Sequence, residues 1–386
     1  MSGQRSGGDG KTAFERLCPT GPGWSVPWAE IHAEFDWVRR LDGVPQDAVH
    51  HAEGDVATHT RMACEALAAL PAWRERPEDE RVRLFAAVLL HDAAKPYCTQ
   101  VEDDGRITAH GHSRRGDLIA RRVLWEAGVP IAWREHVAAL IRHHQVPFWA
   151  LERPRGDLDR IVHRVSLLAR NDDLGVLATA DILGRSCADA SGMLENVELF
   201  VQYASDDGCL DRPRRFPSDH SRFTYFRNPS RVADHDAYDD TTVTVTVMSG
   251  LPGSGKDHWI AANRPGVAVV SLDAWRERLA VKPTDDQGPV IAAATDQAKV
   301  LLRARKPFVW NATNLTRQLR ARCIGLVADY GGRVEIVSVE APPDVMRRRN
   351  RARPRPVPDG VIDRMAGRWE TPDPTEAHRV DWVLNA

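Results

Sequence analysis

The sequence predicts two domains in series, an all-helical domain followed by an α/β domain built on a parallel sheet. Three observations predict it. The length, 386 residues, is about two to three times that of a typical domain. Between about Pro27 and Tyr203, segments such as MACEALAAL, VRLFAAVLLHDAAK, DLIARRVLWEAG, REHVAALIRHH and IVHRVSLLARND place apolar residues at three- and four-residue spacing, and strand-like runs are absent. After Thr241, short β-branched or aromatic runs (TVTVTVMSG, VAVVSLD, PFVWNATN, RVEIVSVE) alternate with helical ones (VIAAATDQAKVLLRAR, TRQLRARCIGLVADYG), as strands covered by helices do.

Between the two lies a stretch of different character, residues 206–240, rich in Pro, Asp, Arg and aromatics and without periodicity. It reads as a connector, and Phe223, Tyr225 and Phe226 predict that it packs on a domain. Residues 1–26 read as a polar tail. The expected domains are therefore 27–205 and 241–386.

Composition is that of a globular protein, 42% hydrophobic and 27% charged, with a formal net charge of -2. No run reaches the roughly 18 apolar residues a membrane span needs, and the first residues lack the apolar stretch of a signal peptide. The six cysteines are scattered, without a C-x-x-C pair, so a reduced, cytoplasmic protein without membrane attachment is expected. A near-neutral charge argues against broad electrostatic adhesion to nucleic acid; any polyanion must be met by local clusters such as Arg347 to Arg355.

The sharpest motif is Gly250-Leu251-Pro252-Gly253-Ser254-Gly255-Lys256, which fits G-x-x-x-x-G-K between a strand and a helix. Glycines let the backbone curl so that its N–H groups face phosphate oxygens, the helix start adds its dipole, and Lys256 reaches the β- and γ-phosphates. ATP or another NTP with Mg²⁺ is the implied cofactor. Asp257 stands where most P-loops place Ser or Thr. It is either a hard-cation ligand or a helix N-cap.

From Met248 to about Trp382 the chain resembles the phage polynucleotide 5′-kinase family. SGLPGSGKDHW resembles that family's P-loop, and VVSLDAWRERL supplies Asp273 and Arg276 where the family has an Asp that activates a nucleic acid 5′-OH and an Arg that holds the neighbouring phosphate. The chemistry is apt: a carboxylate at a strand end accepts the hydroxyl proton. WNATNLT resembles the family's D-T-N-L, with Thr313 and Asn314 matching and Ala312 in place of the Asp. RRRNRARPRPVPDGVIDRM resembles its lid, where Arg349 and Arg353, four apart and so on one helix face, align with the phosphate-clamping pair.

The helical half carries LLHDAAKP. Adjacent His91 and Asp92 at the end of a buried helix can share a metal ion. His51 and His59 lie upstream; His110, His112, His143, His144 and Asp181 lie downstream. A mixed nitrogen and oxygen set spread over five helices suits a hard or borderline cation, whereas structural zinc calls for thiolates in close pairs. The order H…HD…H…HH…D, from about Val49 to Arg185, resembles the HD-domain metal-dependent phosphohydrolases. That resemblance implies His59, His91, Asp92 and Asp181 as core ligands of one or two divalent transition metals (Mn²⁺, Co²⁺, Ni²⁺ or Zn²⁺). It further implies that His112 and one of His143 and His144 complete a second metal or bind substrate. Lys95, on the same helix face as His91, and Arg185, on that of Asp181, are expected to hold a substrate phosphate while a metal-activated water attacks phosphorus.

Taken together, the order of the two halves resembles the bacterial HD-Pnk family of RNA-repair enzymes. The resemblance implies removal of a 2′,3′-cyclic phosphate or a 2′/3′-phosphate by the HD domain and 5′-OH phosphorylation by the P-loop domain. The implied substrate is RNA with broken ends, sealed afterwards by a separate RNA ligase. Two other readings exist: a nucleotidase fused to a nucleoside or metabolite kinase, and an NTP-gated, non-catalytic binding module.

Overall fold

In the computed structural model of the chain, residues 11–385 are described. The chain forms two compact units, residues 1–214 and 215–386. The first is helical and the second is α/β, as the periodicities predict.

The first unit is built around the Glu78–Leu90 helix. From Leu84 to Leu90 every residue of it is buried, so helices cover it on all sides. Val56–Ala69, Ile131–His143 and Asn171–Leu183 pack against it, and His112–Glu126 packs against Ile131–His143. Gly184 permits one of these approaches. A Cβ there would stand 2.5 Å from the Ala63 backbone nitrogen, so only glycine lets the end of Asn171–Leu183 press onto Val56–Ala69.

Two expectations for this unit fail. The tail expected over residues 1–26 lies partly outside the described residues, but from Thr12 onward it is folded. Thr12 and Glu15 form a capping box on the Ala13–Leu17 helix, and Phe14 is fully buried, its ring stacked on Phe35 with centroids 5.1 Å apart. Two apolar anchors in a short helix are too few to register as periodicity. A small antiparallel hairpin, β1 (Gln100–Val101) and β2 (Ile107–Thr108), also stands where no strand was expected. Its two-residue strands are shorter than any alternation pattern can reveal.

The second unit holds a five-stranded parallel sheet in the order β4-β5-β3-β6-β7. The strands are β3 (Val243–Ser249), β4 (Ala268–Ser271), β5 (Phe308–Asn311), β6 (Gly332–Glu340) and β7 (Arg379–Leu384). β3 is central and buried nearly throughout, which explains its unbroken β-branched run. β7 was not expected; as an edge strand it is half-exposed and carries Arg379 and Asp381 among its apolar residues. The connector is also revised. Residues 206–214 belong to the helical unit and 215–240 to the α/β unit, where Ser218 caps a helix over Asp219–Arg227. Phe223 of this helix enters the core of the α/β unit and stacks on His378, and Tyr225 is buried as well. Among the described residues no helix is long and apolar enough to cross a membrane.

Candidate functional sites

Helix ends bring the histidines of the first unit together. His59 sits on the inner face of Val56–Ala69; His91 caps the end of Glu78–Leu90 and Asp92 follows; His112 opens His112–Glu126; His144 follows Ile131–His143; and Asp181 lies in the last turn of Asn171–Leu183. All six are buried. Their donor atoms form two groups, His59 with His91 and Asp181, and Asp92 with His112 and His144, each set lying within 4.8 Å of one another. Asp92 faces both groups. Its Oδ2 is 3.2 Å from His91 Nε2 and 3.6 Å from His59 Nε2, and its Oδ1 is 3.5 Å from His112 Nε2.

The hydrogen bonds behind these rings decide what the centre demands. His59 Nδ1 meets the Gly184 carbonyl at 3.1 Å, His91 Nδ1 that of Val88 at 2.7 Å, His112 Nδ1 that of Ala109 at 2.7 Å and His144 Nδ1 that of Ile141 at 2.8 Å. A carbonyl only accepts, so each Nδ1 carries the proton and each Nε2 presents a lone pair inward. The Nε2 atoms of His59 and His91 are 3.3 Å apart, as are those of His112 and His144. Asp92 Oδ1 and Asp181 Oδ2, both buried, accept no hydrogen bond among the described residues. Four lone pairs and two carboxylates converging on a buried space require positive charge, and this donor set fits one or two divalent cations.

Electrostatics agree. Burial alone would raise the carboxyl groups, but His91 and Lys95 hold Asp92 well below the usual carboxylate range, and Arg185 and His91 do the same for Asp181. Burial, reinforced by His112 and His91, pushes the His144 imidazole down to about 3, so it stays neutral and ready to ligate.

A cavity of about 200 Å³ opens beside this centre, its wall including Lys95, His51, His112 and Arg185. Lys95 Nζ donates to Asp92 Oδ2 at 2.7 Å and to Gln46 Oε1 at 2.5 Å. The expectation that Lys95 shares a helix face with His91 is corrected: the helix stops at Leu90, and Lys95 opens a separate 3₁₀ turn that aims it at Asp92. Arg185, just past its helix end, holds Asp181 Oδ1 at 2.7 Å. His143 is half-buried and is not among the converging donors, and His110 is exposed.

Glu53 went unnoticed in the sequence. Its side chain is buried, and its Oε1 lies 3.1 Å from His59 Nδ1 and 2.8 Å from His51 Nδ1. Burial would raise this carboxyl, but bonds from His59, the Ser186 backbone and His51 hold it at about 2. The signal available was its place between two histidines in HHAEGDVATHT, but no spacing rule picks out a carboxylate behind a ligand.

In the second unit the loop from Gly250 to Lys256 leaves the end of central β3 and enters the Lys256–Asn263 helix. Gly250, at φ 146°, passes so near β6 that a Cβ would stand 2.2 Å from the Val339 carbonyl. Pro252 and Ser254 are buried, and Ser254 Oγ has no hydrogen-bond partner among the described residues. Gly253 also has positive φ, and Gly255 is the helix N-cap. Lys256 Nζ rests on the carbonyls of Gly250 and Leu251 at 2.9 and 3.0 Å. Burial lowers its pKa to about 8, against the pull of Asp257 and Asp273, so it is mostly protonated at neutral pH.

Because Gly255 is the cap, Asp257 is not the N-cap; it is the second helical residue, and its Oδ1 accepts 2.6 Å from Asn311 Nδ2 at the end of β5. Asp273 lies in the Leu272–Arg278 helix. Ser271 caps the helix after β4, which leaves the Asp273 carboxylate exposed in the first turn and paired with Arg276. Thr313 and Asn314 serve the loop through the backbone: the Thr313 carbonyl accepts from Gly250 N at 2.9 Å, and Asn314 Nδ2 donates to the Met248 carbonyl at 2.8 Å. Ala312 brings no ligand, but its neighbour Asn311 reaches Asp257.

The arginine pair differs from expectation. The Pro343–Arg351 helix ends before Arg353, so the two do not share a helix face. Arg349 donates to the Asn385 carbonyl at 2.8 Å, while Arg353 lies near enough to Lys256 to depress its pKa.

Comparison with known proteins follows the same division. A family model described as HD domain matches residues 54–171, and one described as AAA domain matches residues 245–372. The chain is 35% identical over 158 residues to a multifunctional CCA protein of Halorhodospira halophila, covering 40% of this chain and 35% of that protein. It is 32% identical over 130 residues to an A-adding tRNA nucleotidyltransferase of Deinococcus radiodurans, covering 33% and 27%. It thus spans about a third of the length of the curated relatives it matches. Among solved structures, a sugar kinase from Janibacter sp. aligns with a TM-score of 0.29 and 21% identity, over 37% of this chain and 84% of that one. The helical unit thus carries the HD-domain match, and the α/β unit carries the AAA-domain match together with the P-loop motif at Gly250 to Lys256.

Proposed function

We propose that the protein heals both ends of a broken RNA. Its HD domain removes a 2′,3′-cyclic phosphate or a 2′/3′-phosphate, and its P-loop domain phosphorylates a 5′-OH from an NTP. The observation that carries the reading is a complementary pair of sites in one chain: a buried convergence of imidazole lone pairs and carboxylates that demands cations, and a phosphate loop with an uncapped carboxylate, Asp273, set near its lysine. One removes phosphate and the other adds it. That one relative is named for a reaction on tRNA supports RNA as the substrate class.

In the HD domain His59, His91, Asp92, His112, His144 and Asp181 would hold the metal, which when bound lowers the pKa of water and offsets charge on phosphorus. Lys95 and Arg185 line the adjoining cavity and bind the phosphate, each oriented by the carboxylate it already touches. Glu53 keeps the His59 proton on Nδ1, and with it the lone pair facing inward. Glu53→Ala is expected to weaken metal affinity by roughly 10- to 100-fold while the protein remains folded, read by metal titration of the apo-protein. Unchanged affinity would remove Glu53 from this role.

In the P-loop domain Lys256 and the loop amides bind the β- and γ-phosphates. Asp273 accepts the proton of the 5′-OH, Arg276 steers the neighbouring phosphate, and Arg353 adds charge beside the lysine. Asp257 with Asn311 would hold Mg²⁺, a carboxylate on the loop side with an amide on the strand side. Asp257→Ala is expected to raise the Mg²⁺ concentration needed for half-maximal phosphorylation by about tenfold or more, and Asp257→Ser to restore most of it. A Mg²⁺ requirement indifferent to both substitutions would sink the assignment.

The deciding experiment incubates the metal-supplemented protein and ATP with an RNA bearing a 5′-OH and a 2′,3′-cyclic end, and reads both termini. Healing of both is expected. Phosphorylation of free nucleosides in preference to the oligonucleotide would point to a small-molecule kinase, and inactivity at both ends would reject catalysis.

A further inference from the structure

The cavity beside the metal-ligand cluster has two kinds of wall. Lys95, Arg185 and the imidazoles are cationic or polar and close to the cluster; Trp149, Phe148 and Met193 are apolar. Phe148 and Met193 are buried, and the Arg185 guanidinium lies 4.8 Å over the Phe148 ring. Trp149 differs: it is 41% exposed, although both its sequence neighbours are 1% exposed. Local backbone sets it apart. It has non-helical φ -127° and ψ 23° inside the Pro147–Glu152 segment, whose Phe148 carbonyl is held by Asn196 Nδ2 at 2.8 Å. A large rigid ring is thus presented to solvent from a cavity wall by a pinned segment.

We propose that Trp149 is the stacking platform for the nucleobase that carries the scissile phosphate, so that the HD site recognises a terminal nucleotide and not a bare phosphate monoester. The inference rests on the phosphohydrolase reading of this cavity and deepens it. At about 200 Å³ the cavity is smaller than the roughly 300–1,000 Å³ that encloses a drug-sized ligand. Phosphate and part of the sugar fill it, and the base remains at the mouth, beside the exposed indole of the wall. Every base has a π-face, so stacking accepts any of them. It leaves the scissile bond untouched and acts equally in ground and transition states. Its loss therefore appears in KM and not in kcat.

The test compares wild type, Trp149→Ala and Trp149→Phe, metal-supplemented and full-length, on three substrates: an RNA oligonucleotide with a 3′-phosphate, 3′-AMP, and glycerol phosphate, which has no base. Trp149→Ala is expected to raise KM for both nucleotide substrates by roughly 5- to 150-fold, with kcat for them and all parameters for glycerol phosphate nearly unchanged. Trp149→Phe, which keeps a ring, should recover most of the loss. Equal loss on all three substrates would mark a structural role and overturn the proposal, as would no loss on any. A loss confined to the oligonucleotide would assign the ring to the preceding nucleotide and overturn it too. Wild type that releases phosphate from none of the three would overturn this inference, and if it also left a 2′,3′-cyclic end and a 2′-phosphate intact the phosphohydrolase reading would fall with it.

Discussion

Asp92→Ala is expected to end phosphate release by the HD domain and to spare 5′-phosphorylation. Asp92 faces both groups of converging donors, its two oxygens within 3.6 Å of three imidazole Nε2 atoms. Removing it leaves four inward lone pairs with only Asp181 as an anion, and it releases Lys95 into the same space as an unpaired cation. Metal binding is opposed on both counts. The loss should exceed the roughly 10- to 100-fold that outer-shell partners of metal ligands typically cost. Elemental analysis should show depletion, and Asp92→Asn, which keeps the shape and removes the charge, should behave like Ala. Full metal occupancy in either variant would remove Asp92 as a ligand. A parallel fall in kinase activity would contradict independent sites.

Lys256→Ala should produce the reverse pattern. The ammonium closes the mouth of the loop against the Gly250 and Leu251 carbonyls, and burial has already stripped much of its hydration. Moving onto a phosphate oxygen replaces two neutral acceptors with a charged one, and such charge-assisted contacts are the stronger kind. Its loss is expected to lower 5′-phosphorylation by about 10²–10³-fold or more, the scale of one deleted transition-state donor. Lys256→Met, which keeps most of the stem, separates charge from packing and should be as inactive. Removal of a 3′-phosphate by the same preparations should continue at the wild-type rate. Phosphorylation within a few-fold of wild type would mean the loop does not cradle the transferred phosphate.

Much of this was legible from the chain because the signals were local. The P-loop is a contiguous motif between a strand and a helix, and His91-Asp92 follows an apolar helical run. The residues that escaped are those whose meaning lies in a contact that only the fold makes. Asn311 matters because it meets Asp257, 54 positions earlier, and Glu53 because it stands behind His59 and His51. Trp149 stands out only in the fold, where its non-helical backbone leaves its ring exposed between two buried neighbours. Arg349 and Arg353 were paired on helical spacing that the helix, ending at Arg351, does not sustain.

Sequence alone determined the two-domain order and the fold class of each, and it named most of the residues that the fold brings together around Asp92 and Lys256, because hydrophobic period and contiguous motifs are written along the backbone. Only the tertiary structure decided which histidine of 143 and 144 turns inward, that Asp257 is no cap, and that connector residues 215–240 belong with the α/β unit. The reason is geometric. Side-chain direction at a helix end depends on where the last turn stops and what packs over it. Here those contacts come from segments up to 125 residues away, as when the Gly184 carbonyl sets the His59 tautomer.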